Sequence, residues 1–219
     1  MTLPPAAGRP ARVLLADDHA VLREGLVQIL AKSMPHASFG EARSGEEALE
    51  LVRRERWDLV LLDITLPDRN GIEVLKDLRH VAPEMPVLML TMHPEDEFAV
   101  RALKAGAAGY VMKNSDSDEI ARAVERVLTG GRYITDSLAQ KLAAEFGRDT
   151  ERMPHERLSD REFEVFGLLA RGHTVKDIAA RLKISVQTVS TYRARVFEKT
   201  GMKSNAEIVQ YAIRQKLSE

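Results

Sequence analysis

Asp58-Leu59-Val60-Leu61-Leu62-Asp63-Ile64-Thr65-Leu66-Pro67 sets four apolar residues in a row before a carboxylate and a proline turn. An unbroken apolar run of that length suits a strand covered on both faces, as in the middle of a parallel sheet. Such a strand delivers Asp63 to a surface site at its carboxyl end. An isolated Asp where a strand meets a turn is ordinary turn chemistry, so its meaning depends on what else the chain brings to the same edge.

Outward from this strand the pattern alternates. Arg12 to Ala16 is a short apolar strand ending on Asp17-Asp18, and Ala20 to Lys32 carries Val21, Leu22, Leu26, Ile29 and Leu30 at helical spacing. Ser38 to Arg43 reads as a weaker strand, and Ser44-Gly45-Glu46-Glu47 has the form of a capping box opening a helix to about Arg54. Beyond Pro67, Gly71 to Val81 is a helix, Pro86 to Thr91 a strand, and Glu95 to Ala105 a helix stopped by Gly106. Gly109 to Lys113 is the last strand and Ser117 to Thr129 the last helix of the series. Five strands alternating with five helices predict a doubly wound α/β domain with a five-stranded parallel sheet, whose ligands bind beyond the carboxyl ends of the strands. That edge gathers Asp17, Asp18, Asp63, Thr91 and Lys113.

Three carboxylates brought together repel one another unless a cation sits among them. Hard oxygen ligands without Cys or His favour Mg²⁺, which is commonly held by one or two carboxylates together with phosphoryl oxygens. The implied chemistry is phosphoryl transfer with Asp63 as nucleophile, the Thr91 hydroxyl and Lys113 ammonium stabilising charge on the transferred oxygens.

These residues resemble the receiver domain of two-component response regulators, over about residues 11–130: an acidic pair after the first strand, an acceptor Asp after the third, Thr after the fourth and Lys after the fifth, with Leu66-Pro67 and Asn70-Gly71 after the acceptor. The resemblance implies a flavodoxin/CheY-like fold, phosphorylation of Asp63 by a sensor histidine kinase, and Mg²⁺ held by Asp18, Asp63 and the Thr65 carbonyl, with Asp17 acting through water. It also implies that Thr91 and Tyr110 rearrange on phosphorylation. Asn114 follows Lys113 where many receivers have Pro.

Gly130-Gly131 ends the fifth helix, Ser137 to Phe146 again has helical spacing, and Gly147 to Arg157 reads as a linker, so residues 131–157 form a connecting segment. From 158 to 219 the pattern is all helical: a capping box at Ser159 to Glu162, a short helix Val175 to Leu182, a turn at Ile184-Ser185, a longer helix from Val186 to about Lys199, and a last helix from Asn205 to about Lys216. A short helix, a tight turn and a longer polar helix form a helix-turn-helix pattern, which generic helical bundles share. Leu158-Ser159, Arg161-Glu162, Gly172, Ile178-Ala179, Leu182, Ile184-Ser185, Thr188-Val189 and Lys199 resemble the LuxR-type helix-turn-helix of NarL/FixJ response regulators across about residues 155–216. This resemblance implies a recognition helix whose Gln187, Thr188, Ser190, Thr191, Arg193, Arg195 and Lys199 contact double-stranded promoter DNA, with Val189, Val196 and Ile178 as core. It further implies a homodimer on DNA through Ile208, Val209, Ala212 and Ile213 of the last helix, although the same residues could close the domain's own core. Ser190 stands where the family usually has Lys, and Tyr192 where it commonly has His.

Bulk properties agree with this division. Residues 1–150 carry 19 basic and 24 acidic side chains, a net of −5, whereas residues 151–219 carry 13 and 9, a net of +4, as expected of a domain that faces a polyanion. The absence of cysteine excludes disulfides and thiolate metal sites and fits a reducing cytoplasm. The six histidines are too scattered for a zinc signature. Met1 to Ala11 lacks the apolar core of a signal peptide, and no run approaches membrane-spanning length. Two rival readings are a phosphorylation-independent DNA-binding regulator and a haloacid dehalogenase-type phosphohydrolase. The latter requires a second Asp two residues after the nucleophile, where this chain has Thr65. The expectation is therefore a switch rather than a turnover enzyme.

Overall fold

A computed structural model describes residues 9–93, 95–146, 153–215 and 217. The chain divides into two compact units, Met1–Ala139 and Gln140–Glu219.

In the first unit, strands β1 (Arg12–Ala16), β2 (Ser38–Ala42), β3 (Leu59–Leu62), β4 (Val87–Thr91) and β5 (Gly109–Met112) alternate with helices α1 (Ala20–Ser33), α2 (Gly45–Arg54), α3 (Gly71–Val81), α4 (Glu95–Lys104) and α5 (Ser117–Leu128). The sheet is parallel in the order β2-β1-β3-β4-β5. The apolar run before Asp63 is its central strand, and Leu59 to Leu62 are all buried. Side chains alternate across a strand. Val13, Leu15, Leu59, Leu61, Leu88, Leu90 and Val111 meet Leu26 and Leu30 of α1 and Ile120, Val124 and Val127 of α5 on one face. The intervening Leu14, Val60, Leu62 and Met89 are equally buried and point to the opposite face. Because β1, β3, β4 and β5 run the same way, their last residues all reach one edge.

Local chemistry fixes the helix starts at that edge. Ser44 accepts a hydrogen bond from the Glu47 amide to cap α2, and Asn70 accepts one from the Ile72 amide, 2.9 Å away, to cap α3. Residue 71 has no room for a side chain: a Cβ there would lie 2.0 Å from the Asp63 carbonyl oxygen and 2.8 Å from Ile64 Cα. The turn after β3 folds back so tightly, through the Gly71 amide bound to the Ile64 carbonyl at 2.7 Å, that only glycine fits.

In the second unit, helix α6 (Asp136–Phe146) spans the division between the units, and a 3₁₀ turn at Pro154–Arg157 occupies the end of the expected linker. The linker positions 147–152 and Lys216, expected at the end of the last helix, lie outside the described residues. Helices α7 (Asp160–Ala170), α8 (Val175–Arg181), α9 (Val186–Thr200) and α10 (Asn205–Gln215) follow. Ser159, Thr174 and Ser185 cap the first three of these, each accepting from the amide three residues on. The turn between α8 and α9 places Lys183 in the left-handed region, at φ 54°, and Gly201 ends α9 at φ 74°.

The last helix divides its apolar residues between two stripes. Ile208 and Ala212 are fully buried, and α10 packs against α7. Of the expected dimerisation set only the adjacent stripe remains outside, with Val209 half-buried and Ile213 64% exposed.

Replacing Gly71 with Ala is expected to destabilise the first unit by about 2 kcal/mol, because a well-packed backbone must move. Gly25→Ala, in the middle of α1 with nothing within 4 Å of its new methyl, should stabilise by about 0.5–1 kcal/mol. Urea denaturation of the two variants checks the contrast.

Candidate functional site

Backbone hydrogen bonds set the edge before any side chain is considered. The Asp63 amide donates to the Ala16 carbonyl at 2.9 Å, the Asp17 amide to Ala42 at 3.0 Å, and the Lys113 amide to Thr91 at 2.8 Å. Residues distant in sequence are thereby laid side by side. Lys113 Nζ lies 2.6 Å from Asp17 Oδ2 and 2.7 Å from Asp63 Oδ2, and all three side chains are at least 95% buried. Asp17, Asp18, His19 and Asp63 each offer a ligand atom within 4.8 Å of the others, a grouping that could hold a metal ion.

Asp63 uses only half of its carboxylate in the ion pair. Oδ1 is buried and makes no hydrogen bond among the described residues. Burial pushes the Asp63 carboxyl above its ordinary range; the Lys113 charge and hydrogen bond oppose this, the Asp17 charge adds to it, and the Thr65 amide opposes it weakly. An orphaned, desolvated oxygen beside further carboxylates is the donor set that a hard divalent cation or an electrophile would complete. The residues therefore fit Mg²⁺.

Two histidines join this edge that the sequence reading left out. His19 Nδ1 is 2.7 Å from Asp18 Oδ1 and 3.4 Å from Asp17 Oδ1, with its ring half-exposed. His93 is buried, its Nε2 3.0 Å from Thr65 Oγ1. The donor set is thus not free of His, as had been expected. Adjacency to Asp17-Asp18, and a place two residues after Thr91, are the sequence signals that could have found them. His93 also touches both expected switch residues through its backbone. Its amide donates to Thr91 Oγ1 at 3.3 Å, and its carbonyl accepts from the Tyr110 hydroxyl at 2.8 Å. Tyr110 is fully buried.

In the second unit, α9 sorts its polar residues by face. Ser185, Gln187, Thr188, Thr191, Tyr192 and Arg195 line one shallow concavity, while Val189 and Val196 are buried on the opposite side. The Thr191 hydroxyl donates to the Gln187 carbonyl, and the Ser190 hydroxyl to Val186. Two of the expected cationic contacts are also engaged within the unit. Arg193 is half-buried rather than exposed, its Nε donating to Asn205 Oδ1 at 2.9 Å and its guanidinium 4.6 Å above the Phe197 ring. Lys199 Nζ is 2.6 Å from Glu162 Oε2 on α7, and this ion pair lowers the Glu162 pKa against the opposing effect of burial.

Residues 13–125 match the response regulator receiver domain, and residues 156–212 match the bacterial regulatory proteins of the luxR family. Response regulator GacA of Pseudomonas aeruginosa is 36% identical over 204 residues, covering 93% of this chain and 95% of that protein. Response regulator UvrY of Escherichia coli is 33% identical over 203 residues, covering 92% and 93%. Among solved structures, a LuxR-family two-component response regulator from Aurantimonas sp. superposes with a TM-score of 0.58 at 37% identity, covering 64% of this chain and 99% of that one. Salmonella typhimurium RcsB has the same fold, with a TM-score of 0.65 at 20% identity over 96% of this chain and all of that one. The parallel sheet with its acidic edge and lysine is a receiver. The chain belongs to the two-component response regulators of the NarL/FixJ family, in which a receiver is joined to a LuxR-type helix-turn-helix DNA-binding domain. Among the described residues, no helix is long and apolar enough to cross a membrane.

A carboxyl whose pKa is raised in the folded state holds its proton more tightly there than when unfolded. Its contribution is then most favourable in acid and is lost as pH climbs from the unfolded value of 3.8 through the raised one. Asp63→Asn removes that burden, so the variant should melt higher than the wild type at neutral pH in metal-free buffer, and the gap should shrink as pH is lowered. Thermal melts across pH provide the check.

Proposed function

We propose that Asp63 is the phosphoacceptor of this regulator, and that its phosphorylation by a sensor histidine kinase controls dimerisation and DNA binding to regulate transcription. The buried, unpartnered Oδ1 of Asp63 carries this reading. That oxygen attacks the phosphorus of a phosphohistidine; the P–O bond forms as the P–N bond breaks, and the bonding pair leaves on the imidazole nitrogen. Asp18, Asp63 and the Thr65 carbonyl would hold Mg²⁺ directly and Asp17 through water; when bound, the ion neutralises charge on the transferred phosphoryl oxygens.

Lys113 favours the ionised form of Asp63 before transfer. Once the acyl phosphate forms, the carboxylate charge has gone and the ammonium pairs with a phosphoryl oxygen. The Thr91 hydroxyl donates to another. Thr91 accepts from the His93 amide and Tyr110 donates to the His93 carbonyl, so drawing Thr91 toward the phosphoryl group releases one of two contacts on that residue's backbone and shifts Tyr110. Thr65 directs its hydroxyl to His93 and supplies no carboxyl two residues after Asp63, which supports a switch over a phosphohydrolase.

In the LuxR-type domain, Gln187, Thr188, Thr191 and Arg195 present the DNA-reading face of α9, with Ser190 beside them. Gln suits adenine and Arg suits guanine in the major groove. Arg193 and Lys199 act chiefly as supports of that helix. Two-fold DNA sites require a dimer, for which Ile213 and Val209 supply the outer apolar stripe of α10.

Incubation with acetyl phosphate and Mg²⁺ should add one phosphoryl group by intact mass and shift the chain toward dimer by light scattering. Asp63→Asn should take no label; undiminished labelling would refute the assignment. Ile213→Asp should be labelled fully yet remain monomeric.

On DNA, Arg195→Ala should weaken binding and reduce the slope of log affinity against log salt by about one if it meets a phosphate, or relax base preference if it reads guanine. Arg193→Ala should instead lower the stability of the domain by about 1 kcal/mol, with the salt slope unchanged. Fluorescence anisotropy over a salt series and thermal melts separate the two.

A further inference from the structure

Arg23 is a buried charge that the phosphoryl chemistry does not use. It stands on α1 at the same helical stripe as Leu26 and Leu30, which pack into the core, and only 3% of it is exposed. An aliphatic side chain would satisfy that stripe, whereas burying a guanidinium carries a desolvation penalty of several kcal/mol unless its donors are placed. They are placed in two directions. NH1 donates to the Asp17 carbonyl oxygen at 2.7 Å, and Nε donates to Glu41 Oε2 at 2.5 Å. Glu41 lies on β2, in register with Leu15 of β1, just before the Ala42 whose carbonyl takes the Asp17 amide.

Asp17 is consequently held through its backbone amide, its carbonyl and one carboxylate oxygen. Its amide is bound to Ala42, its carbonyl to Arg23 and its Oδ1 to the His19 amide at 2.9 Å, while its Oδ2 lies in an ion pair with Lys113. The Arg23 guanidinium thus bears directly on the peptide that joins Asp17 to Asp18, whose carboxylates lie in one cluster with Asp63. A guanidinium fork can span two acceptors lying in different directions, which a lysine ammonium on a point cannot reproduce with the same orientation.

We propose that Arg23 is a positioning residue for divalent-cation binding: through the Asp17 carbonyl it sets the orientation of the Asp17–Asp18 pair, with Glu41 anchoring its guanidinium. This rests on the reading of the acidic edge as a Mg²⁺ site. Groups that orient metal ligands from outside commonly change metal affinity by about 10–100-fold when removed.

The test uses the full-length, unphosphorylated chain, with Mn²⁺ binding followed by electron paramagnetic resonance and Mg²⁺ by competition. Arg23→Gln should weaken both ions by about tenfold, and Arg23→Lys, which keeps the charge but not the fork, should also weaken them. Glu41→Ala removes a half-exposed anchor and should give a smaller loss in the same direction, which keeps the proposal testable if Arg23 variants fold poorly. Circular dichroism and metal-free melts identify the folded population. Wild-type ion affinity in folded Arg23→Gln, or in Glu41→Ala, with only the melting temperature lowered, would overturn the proposal and leave Arg23 as a tie between α1 and β2. A wild-type chain that binds neither ion would instead overturn the metal-site reading itself.

Discussion

The ammonium of Lys113, held between Asp17 and Asp63, is the interaction on which the site depends. Two buried carboxylates about 4 Å apart repel by about 4 kcal/mol at an effective dielectric constant near 20. Burial adds its own penalty to each charge. One ammonium cannot offset three carboxylates, and Asp63 accordingly keeps an upward-shifted pKa and an oxygen without a hydrogen bond. That residual deficit is one that a cation or an electrophile would relieve. A neutral or fully paired cluster in the same place would be more stable and would have no chemistry to do.

The fold meets this demand with backbone geometry more than with side-chain packing. Parallel strands bring Asp17, Asp63, Thr91 and Lys113 to one line, and the amides of Asp17, Asp63 and Lys113 are each bound to a neighbouring strand. Around that line the structure is tight where the chain must turn, as at Gly71 against the Asp63 carbonyl. It is connected at His93, whose amide is bound to Thr91 and whose carbonyl is bound to Tyr110. Rigid placement of the acidic edge and a two-contact link at His93 are different requirements, and they fall on different loops.

The helical domain divides its cations by the same logic. A charge is available to a duplex only if its own domain has not already claimed it. Lys199 answers Glu162 of α7, and Arg193 answers Asn205 and the ring of Phe197, so these two stabilise the position of α9. Gln187, Thr191 and Arg195, one and two turns apart, share the outward face with Tyr192, which stands where the family commonly has His.

The sequence by itself determined the element order and the strand that carries Asp63, because apolar runs, capping boxes and glycine stops are local signals. It also determined that Asp17, Asp18, Thr91 and Lys113 close the other strands, since strand ends in a parallel sheet converge wherever the helices lie. Tertiary structure alone decided which polar groups are already committed. Periodicity marks a stripe on α10 but does not say what covers it, and in the fold Ile208 and Ala212 are fully buried while Ile213 stays outside. Likewise Arg23 reads as one more charged residue on an amphipathic helix until β2 closes over it. Its partners, Glu41 and the Asp17 carbonyl, are 18 and 6 residues away along the chain, and only the folded sheet brings both within hydrogen-bonding reach of a single guanidinium.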